Sequence, residues 1–161
     1  MRMSPLDAVW LMMESADTPM HVGVLATFKK PRKAPRNYLR QLSEQMRNYG
    51  SPVSPWNLRL SSKSASSLSP KLVEEVEFDL DYHFRHTALP KPGGELELGI
   101  ILSRLHSLAL DRSRPLWEFH LIEGLEQERF AFYLKVHHAL IENVNAPLLC
   151  LAILCARSLA A

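Results

Sequence analysis

Two adjacent histidines, His137 and His138, are the residues of this 161-residue chain best suited to proton transfer. They follow an alternating apolar segment that predicts a strand and precede an apolar segment that predicts a helix. Successive side chains of a strand point to opposite faces, so one imidazole would hold the strand end and the other could face a cleft. A neutral imidazole with a pKa of about 6.5 can take a proton from a hydroxyl. Paired histidines also serve structural roles, and their spacing alone leaves both interpretations open.

The segments that would position the histidines alternate between helical and strand patterns. Ser4, followed by a proline and Asp7, predicts a capped helix start, and four apolar side chains then share one helical face. The short segment 124–128 would join the last two strands as a hairpin, whereas 51–72 is predicted to be an exposed loop. These patterns predict an α/β (α+β) fold with a mixed sheet flanked by helices. The apolar face is Leu6, Val9, Trp10 and Met13; the predicted strands are 20–28, 73–78, 117–125 and 129–136, and the other predicted helices are 36–49, 95–109 and about 144–154.

Composition and charge indicate one domain without a nucleic-acid partner. Hydrophobic residues make up 47% of the chain, and the formal net charge is +2, with 19 basic and 17 acidic residues intermingled. Cys150 and Cys155 would face different directions on a helix, so no disulfide is predicted and a reducing compartment fits. The apolar end, 147–161, is shorter than the roughly 20 residues that a membrane-spanning helix needs. We therefore predict a cytoplasmic protein that touches a membrane only at its surface.

The histidines stand in a segment that resembles a known catalytic signature. Residues 137–143, HHALIEN, are similar to the HHxxxDG motif of the chloramphenicol-acetyltransferase-like acyltransferases. Residues 113–125, SRPLWEFHLIEGL, resemble the PLW segment of the bacterial wax ester synthase/diacylglycerol acyltransferase (WS/DGAT) family. The segments 19–23, 78–86 and 89–94 are also similar to that family, in the family's order. The whole resemblance runs from about residue 4 to residue 146.

The resemblance implies a fold of two similar halves with the active site in a channel between them. On this basis residues 1–146 form an incomplete N-terminal acyltransferase domain, 147–161 form an apolar helical tail, and the second domain is absent. The family transfers a fatty acyl group from acyl-CoA to a long-chain alcohol or diacylglycerol, which yields wax esters or triacylglycerol. No metal or organic cofactor is implied, because acyl-CoA is a substrate. A location at the inner membrane or at lipid inclusions is a further expectation.

The same resemblance assigns roles to individual residues. His138 matches the general base, His137 matches its structural neighbour, Glu142 replaces the aspartate that orders the loop, and Asn143 replaces the glycine. A side chain longer by one methylene could displace a contact by about 1 Å, and such displacement can cost about a hundredfold in rate. The alternative function is therefore a non-catalytic remnant that folds or binds lipid or a partner without activity. The PLW residues, which would line the channel or support the fold, are Pro115, Leu116 and Trp117.

Two other groups of residues are weaker candidates. His83 and His86 lie close to Asp79 and Asp81 in the sequence, but no further ligand cluster accompanies them, so no metal site is predicted. The basic run 29–36 could meet CoA phosphates or anionic lipid, although a solvated loop is the more frequent role of such a run.

Overall fold

The part of the chain described by the structure is built around a mixed β-sheet. A computed structural model describes residues 2–48, 52–62 and 70–141. The combination of helices with a mixed sheet confirms the predicted α/β class. Its elements, in chain order, are α1 (Pro5–Met13), β1 (His21–Lys29), α2 (Tyr38–Arg47), β2 (Leu58–Leu60), β3 (Leu72–Glu74), α3 (Leu80–His83), β4 (Phe84–Ala88), α4 (Glu95–Ser107), β5 (Trp117–Leu125), β6 (Arg129–His137) and α5 (His138–Ile141).

Four strands form the main sheet in the order β1-β6-β5-β4. Strands β5 and β6 are an antiparallel pair, as the hairpin prediction required, and β1 is antiparallel to β6 on the other side. Strand β4 pairs with β5 in parallel, which makes the sheet mixed. The register sets His21 of β1 opposite His137 at the end of β6. Consequently the start of β1 and the end of β6 meet at the same edge of the sheet.

Both faces of strand β6 are buried, which explains why its residues are apolar in both registers. Phe130 and Phe132 belong to a core that includes Leu11 of α1 and Leu42 of α2. Side chains of alternate parity, such as Ala131, pack on the other face with residues of α4. Because a fully buried Phe contributes roughly 1.5–3 kcal/mol, this central strand anchors the fold. The two histidines thus lie at the end of its most firmly held strand.

Helix α1 begins where the sequence predicts, but its apolar face points away from the core. The Ser4 hydroxyl accepts a hydrogen bond from the Asp7 backbone N–H at 3.1 Å, which caps the helix. The buried residues of α1 are Asp7, Ala8 and Leu11, whereas Leu6 is 71% exposed and Met13 is 57% exposed. Helical periodicity identifies an apolar face but not what covers it, and within the described residues this face is exposed.

The predicted loop at 51–72 contains regular structure. Strand β2 pairs antiparallel with β3 in a separate two-stranded sheet, and Leu58, Leu60 and Leu72 are buried. Three-residue strands are too short to show an alternating pattern, and for the same reason the predicted strand at 73–78 is misplaced. The helix predicted at about 144–154 lies outside the described residues. No helix within the described ranges is long and apolar enough to cross a bilayer.

Candidate functional site

The two histidines mark a sharp junction between a strand and a helix. Strand β6 ends at His137, and α5 begins at His138. The His137 backbone N–H donates to the Leu116 carbonyl at 3.0 Å, and the His138 backbone N–H donates to the Met20 carbonyl at 2.9 Å. The junction is therefore held on one side by the PLW segment and on the other by the residue before β1.

The His138 side chain is half-buried and lies against an exposed tryptophan. Its imidazole stacks on the Trp10 indole, with ring centroids 4.4 Å apart and planes 20° from parallel. No hydrogen bond between a ring nitrogen of His138 and another described residue is found. Trp10 itself is 37% exposed. The stack fixes the plane of the imidazole.

The His137 side chain is fully buried and has a defined tautomer. Its Nδ1 accepts a hydrogen bond from the Ala139 backbone N–H at 3.0 Å. A neutral imidazole carries one proton, which must then be on Nε2. This atom lies 3.5 Å from the Glu14 Oε1 atom, a long separation for a hydrogen bond. His137 is thus committed to holding the junction, as one of two adjacent strand residues was expected to be.

A buried carboxylate that the sequence analysis did not identify completes the junction. The Glu14 Oε1 atom accepts a hydrogen bond from the Met20 backbone N–H at 3.1 Å. Its Oε2 atom accepts from Arg112 Nε at 2.8 Å, and the Glu14 side chain is only 6% exposed. The Arg112 guanidinium also donates to the Leu11 carbonyl at 2.6 Å. One ion pair therefore joins the end of α1, the start of β1 and the segment before β5.

Burial and charge set the protonation of these groups. Burial lowers the pKa of His137 from its ordinary value of 6.5 to about 4, against the opposing effect of the Glu14 carboxylate. Burial would raise the pKa of Glu14, but the hydrogen bonds from Met20 and Arg112 outweigh it and leave the pKa below its ordinary value. Near neutral pH the pair is therefore a neutral imidazole beside an ionised carboxylate.

The lowered pKa of His137 makes the fold sensitive to acid. Unfolding returns the pKa to about 6.5, so the unfolded chain binds a proton that the folded chain excludes. The stabilisation is complete above about pH 6.5 and is lost as the pH falls toward 4. We expect urea unfolding at about pH 7.5 and pH 5 to show that this group costs roughly 2 kcal/mol over the interval.

The His137→Asn variant isolates that contribution. An asparagine Oδ1 can still accept from the Ala139 N–H but does not titrate. The variant should lose roughly 2 kcal/mol less between the two pH values than the parent does. Some acid sensitivity remains in both, because burial also lowers the pKa values of His21 and His83. An identical pH dependence in parent and variant would contradict the assigned pKa of His137.

The PLW residues lie in the core rather than in an open channel. Pro115, Leu116 and Trp117 are all buried. The Trp117 indole N–H donates to the Trp56 carbonyl at 2.8 Å, and the two indoles meet edge to face at 5.8 Å. Of the two roles left open for this segment, the geometry is that of support for the fold.

The remaining predicted site residues are placed apart from the histidines or are not described. Glu142 and Asn143 lie outside the described residues. His83 is buried, and its Nδ1 donates a hydrogen bond to the Trp117 carbonyl at 2.7 Å. This histidine therefore has a structural contact in the core. Across residues 2–48, 52–62 and 70–141, no group of three His, Cys, Asp or Glu side chains is arranged to hold a metal ion. The nearby Asp79 instead pairs with Arg114 at 3.3 Å.

A second buried ion pair lies on the sheet face that α4 covers. Lys135 is fully buried, and its Nζ donates to the carbonyls of Leu105 and Leu108 at 2.9 Å each. The same atom lies 3.3 Å from the Glu118 carboxylate. The last carbonyls of a helix lack partners within the helix. Here the Lys135 ammonium group of β6 donates a hydrogen bond to two carbonyls at the end of α4. This pair fastens α4 to the sheet and does not contact His138.

Solved structures with this fold define the general class of the protein. The first condensation domain of the calcium-dependent antibiotic synthetase matches with a TM-score of 0.57 at 18% identity, and the match covers 86% of this chain and 34% of that one. At this identity the likeness concerns the fold alone. The described part of this chain therefore shares its fold with part of a condensation domain.

More similar proteins identify the family. The wax ester synthase/diacylglycerol acyltransferase from Marinobacter aquaeolei VT8 matches with a TM-score of 0.80 at 45% identity, covering 87% of this chain and 33% of that one. Residues 3–157 match the model of the wax ester synthase/diacylglycerol acyltransferase catalytic domain. The chain belongs to the WS/DGAT family, which confirms the resemblance found in the sequence.

Curated relatives carry acyltransferase names. A putative diacylglycerol O-acyltransferase of Mycobacterium tuberculosis is 50% identical over 143 residues, which are 88% of this chain and 29% of the relative. The O-acyltransferase WSD of Acinetobacter baylyi is 44% identical over 141 residues, which are 87% of this chain and 29% of the relative. The chain therefore spans less than a third of the length of these relatives.

Proposed function

We propose that this chain supplies the base-bearing part of an acyltransferase that moves a fatty acyl group from acyl-CoA to a long-chain alcohol or diacylglycerol. The observation that carries the proposal is the difference in burial and hydrogen bonding between the two histidine side chains at the junction. His137 is buried with its tautomer fixed, whereas His138 is half-buried and its ring nitrogens have no partner among the described residues. Membership of the WS/DGAT family supports acyl transfer as the reaction.

The proposed reaction needs only one proton acceptor from this chain. A ring nitrogen of His138 takes the proton of the acceptor hydroxyl while the hydroxyl oxygen attacks the thioester carbonyl carbon. A C–O bond forms, the C–S bond breaks, and the histidine returns the proton to the sulfur of the leaving CoA. No acyl group is bonded to the protein at any stage. No metal or organic cofactor takes part, and acyl-CoA is consumed as a substrate.

The exposed apolar face of α1 supports the assignment of long-chain substrates. Leu6, Val9 and Met13 are exposed on the same helical face as Trp10, whose indole contacts His138. Exposed apolar surface beside a reactive group suits an alkyl chain better than a polar acceptor. The same face would favour work at a membrane or lipid-inclusion surface, where such chains are found.

The proposal is tested in a protein that has the length of its relatives. Residues 1–146 would replace the matching segment of the Marinobacter relative, and this grafted enzyme would be given palmitoyl-CoA with hexadecanol or diacylglycerol. We expect ester or triacylglycerol to form, and much less product from the 161-residue chain alone. A folded graft without product would favour the non-catalytic alternative.

A second experiment concerns the two departures from the family motif. If Glu142 and Asn143 are imperfect replacements, then Glu142→Asp together with Asn143→Gly should raise the turnover of the grafted enzyme by about tenfold. That gain corresponds to roughly 1.4 kcal/mol of activation free energy. Steady-state rates of parent and double variant provide the measurement. Unchanged or lower turnover would mean that this chain works with the longer acid.

A further inference from the structure

The ion pair between Glu14 and Arg112 reaches the histidine junction by two separate routes. One route is through space, because Glu14 Oε1 lies 3.5 Å from the His137 Nε2 atom. The other runs through the backbone, because Oε1 accepts from the Met20 N–H and the Met20 carbonyl accepts from the His138 N–H. A shift of this carboxylate would therefore move both histidines.

Arg112 holds the carboxylate in place. Its guanidinium meets Glu14 Oε2 through Nε and Nη2 at 2.8 Å each, a two-point contact that fixes the orientation of the acid. The same guanidinium donates to the Leu11 carbonyl, in the last turn of α1. Trp10, which stacks on His138, lies in that turn as well. The pair thus contacts Met20, whose carbonyl accepts from the His138 N–H, and the helical turn that carries Trp10.

We infer that Glu14, fixed by Arg112, is the positioning residue for the catalytic histidine. The inference rests on the proposed function, because it assigns Glu14 a role in presenting His138 to the acceptor hydroxyl. Glu14 acts through the His137 ring and the Met20 backbone and touches neither substrate nor His138. It performs within the described residues the ordering role that family resemblance alone gives to Glu142.

A purely structural ion pair would behave differently from a positioning one. Removing one partner of a buried pair leaves an uncompensated charge, and the fold is destabilised whatever the pair does. Removing both charges together often restores stability. If the pair serves the fold alone, activity should return with stability. If Glu14 positions His138, stability should return while turnover stays low.

The experiment compares Arg112→Met with the double variant Glu14→Gln/Arg112→Met in the grafted enzyme. Glutamine keeps an oxygen that can accept from the Met20 N–H, and methionine keeps an unbranched apolar stem. We expect the single variant to melt at a clearly lower temperature and the double variant to melt near the parent. In the double variant kcat should fall by about tenfold or more, while KM should change by less than about twofold.

A matched control uses another ion pair of the same residue types. Arg59 Nε lies 2.8 Å from the Glu75 carboxylate, in the region of the small β2-β3 sheet and away from the junction. Arg59→Met/Glu75→Gln should leave kcat unchanged. Parental kcat in Glu14→Gln/Arg112→Met, with His138→Ala inactive, would overturn the inference alone. An inactive parent graft, or an active His138→Ala, would overturn the proposed function and this inference with it.

Discussion

Trp117→Ala should lower the free energy of unfolding by about 3–5 kcal/mol, the range found when a large aromatic side chain is removed from a core. Trp117 is 7% exposed, and its ring contacts Trp56, Phe78 and His83. Deleting the indole removes these contacts and leaves a cavity that the neighbouring rings cannot fill. Urea unfolding of parent and variant at neutral pH provides the measurement.

Trp117→Phe separates packing from hydrogen bonding at the same position. Phenylalanine retains most of the ring contacts but cannot donate to the Trp56 carbonyl. The lost hydrogen bond should lower the free energy of unfolding by about 1 kcal/mol, in addition to the cost of the smaller ring. If Trp117→Ala cost less than about 1 kcal/mol and mainly altered substrate preference, the PLW segment would be part of a channel wall. The assignment of this segment to the core would then be wrong.

His138→Ala should lower kcat of the grafted enzyme by roughly 10²–10⁴-fold, the usual contribution of a positioned general base. KM should change little, because the proton is taken in the transition state and not on binding. The imidazole is half-buried and contacts one indole, so its loss should cost no more than about 1.5 kcal/mol of stability. Initial rates over a range of alcohol concentrations separate kcat from KM.

The alanine variant needs a check that the fold survives. A thermal melt close to that of the parent would assign the loss of rate to chemistry. Turnover within about fivefold of the parent, with a normal melt, would show that His138 is not the base. Another group would then have to accept the proton, and the division of labour between the two histidines would have no chemical meaning.

The regions that sequence predicts well are those with long, uninterrupted patterns. Strand β6 has an apolar side chain at every second position from Phe130 to Val136, and α4 carries a long apolar stripe, so both appear close to where they were expected. The two adjacent histidines differ in burial, since His137 ends β6 and is fully buried whereas His138 begins α5 and is half-buried. The matched family segments placed the whole chain in its family because several motifs recur in one order.

The features that sequence reasoning missed depend on contacts between distant segments. Glu14 and Arg112 are 98 positions apart in the chain, and neither belongs to a local motif that demands the other. Their pairing depends on the packing of the end of α1 beside the segment before β5. The exposure of the apolar face of α1 was not predictable for a related reason, because helical spacing does not reveal which neighbour a face meets.

The most direct test of the account is whether the alcohol, activated by His138, is the group that attacks the thioester. Grafted enzyme in excess over palmitoyl-CoA would be followed for free CoA, first without and then with hexadecanol. If the activated alcohol is the attacking group, CoA release is negligible until the alcohol is added and is then one CoA for each ester formed. In His138→Ala both products should form at least about a hundredfold more slowly. A stoichiometric release of CoA without alcohol, with the acyl group left on the protein, would contradict this mechanism.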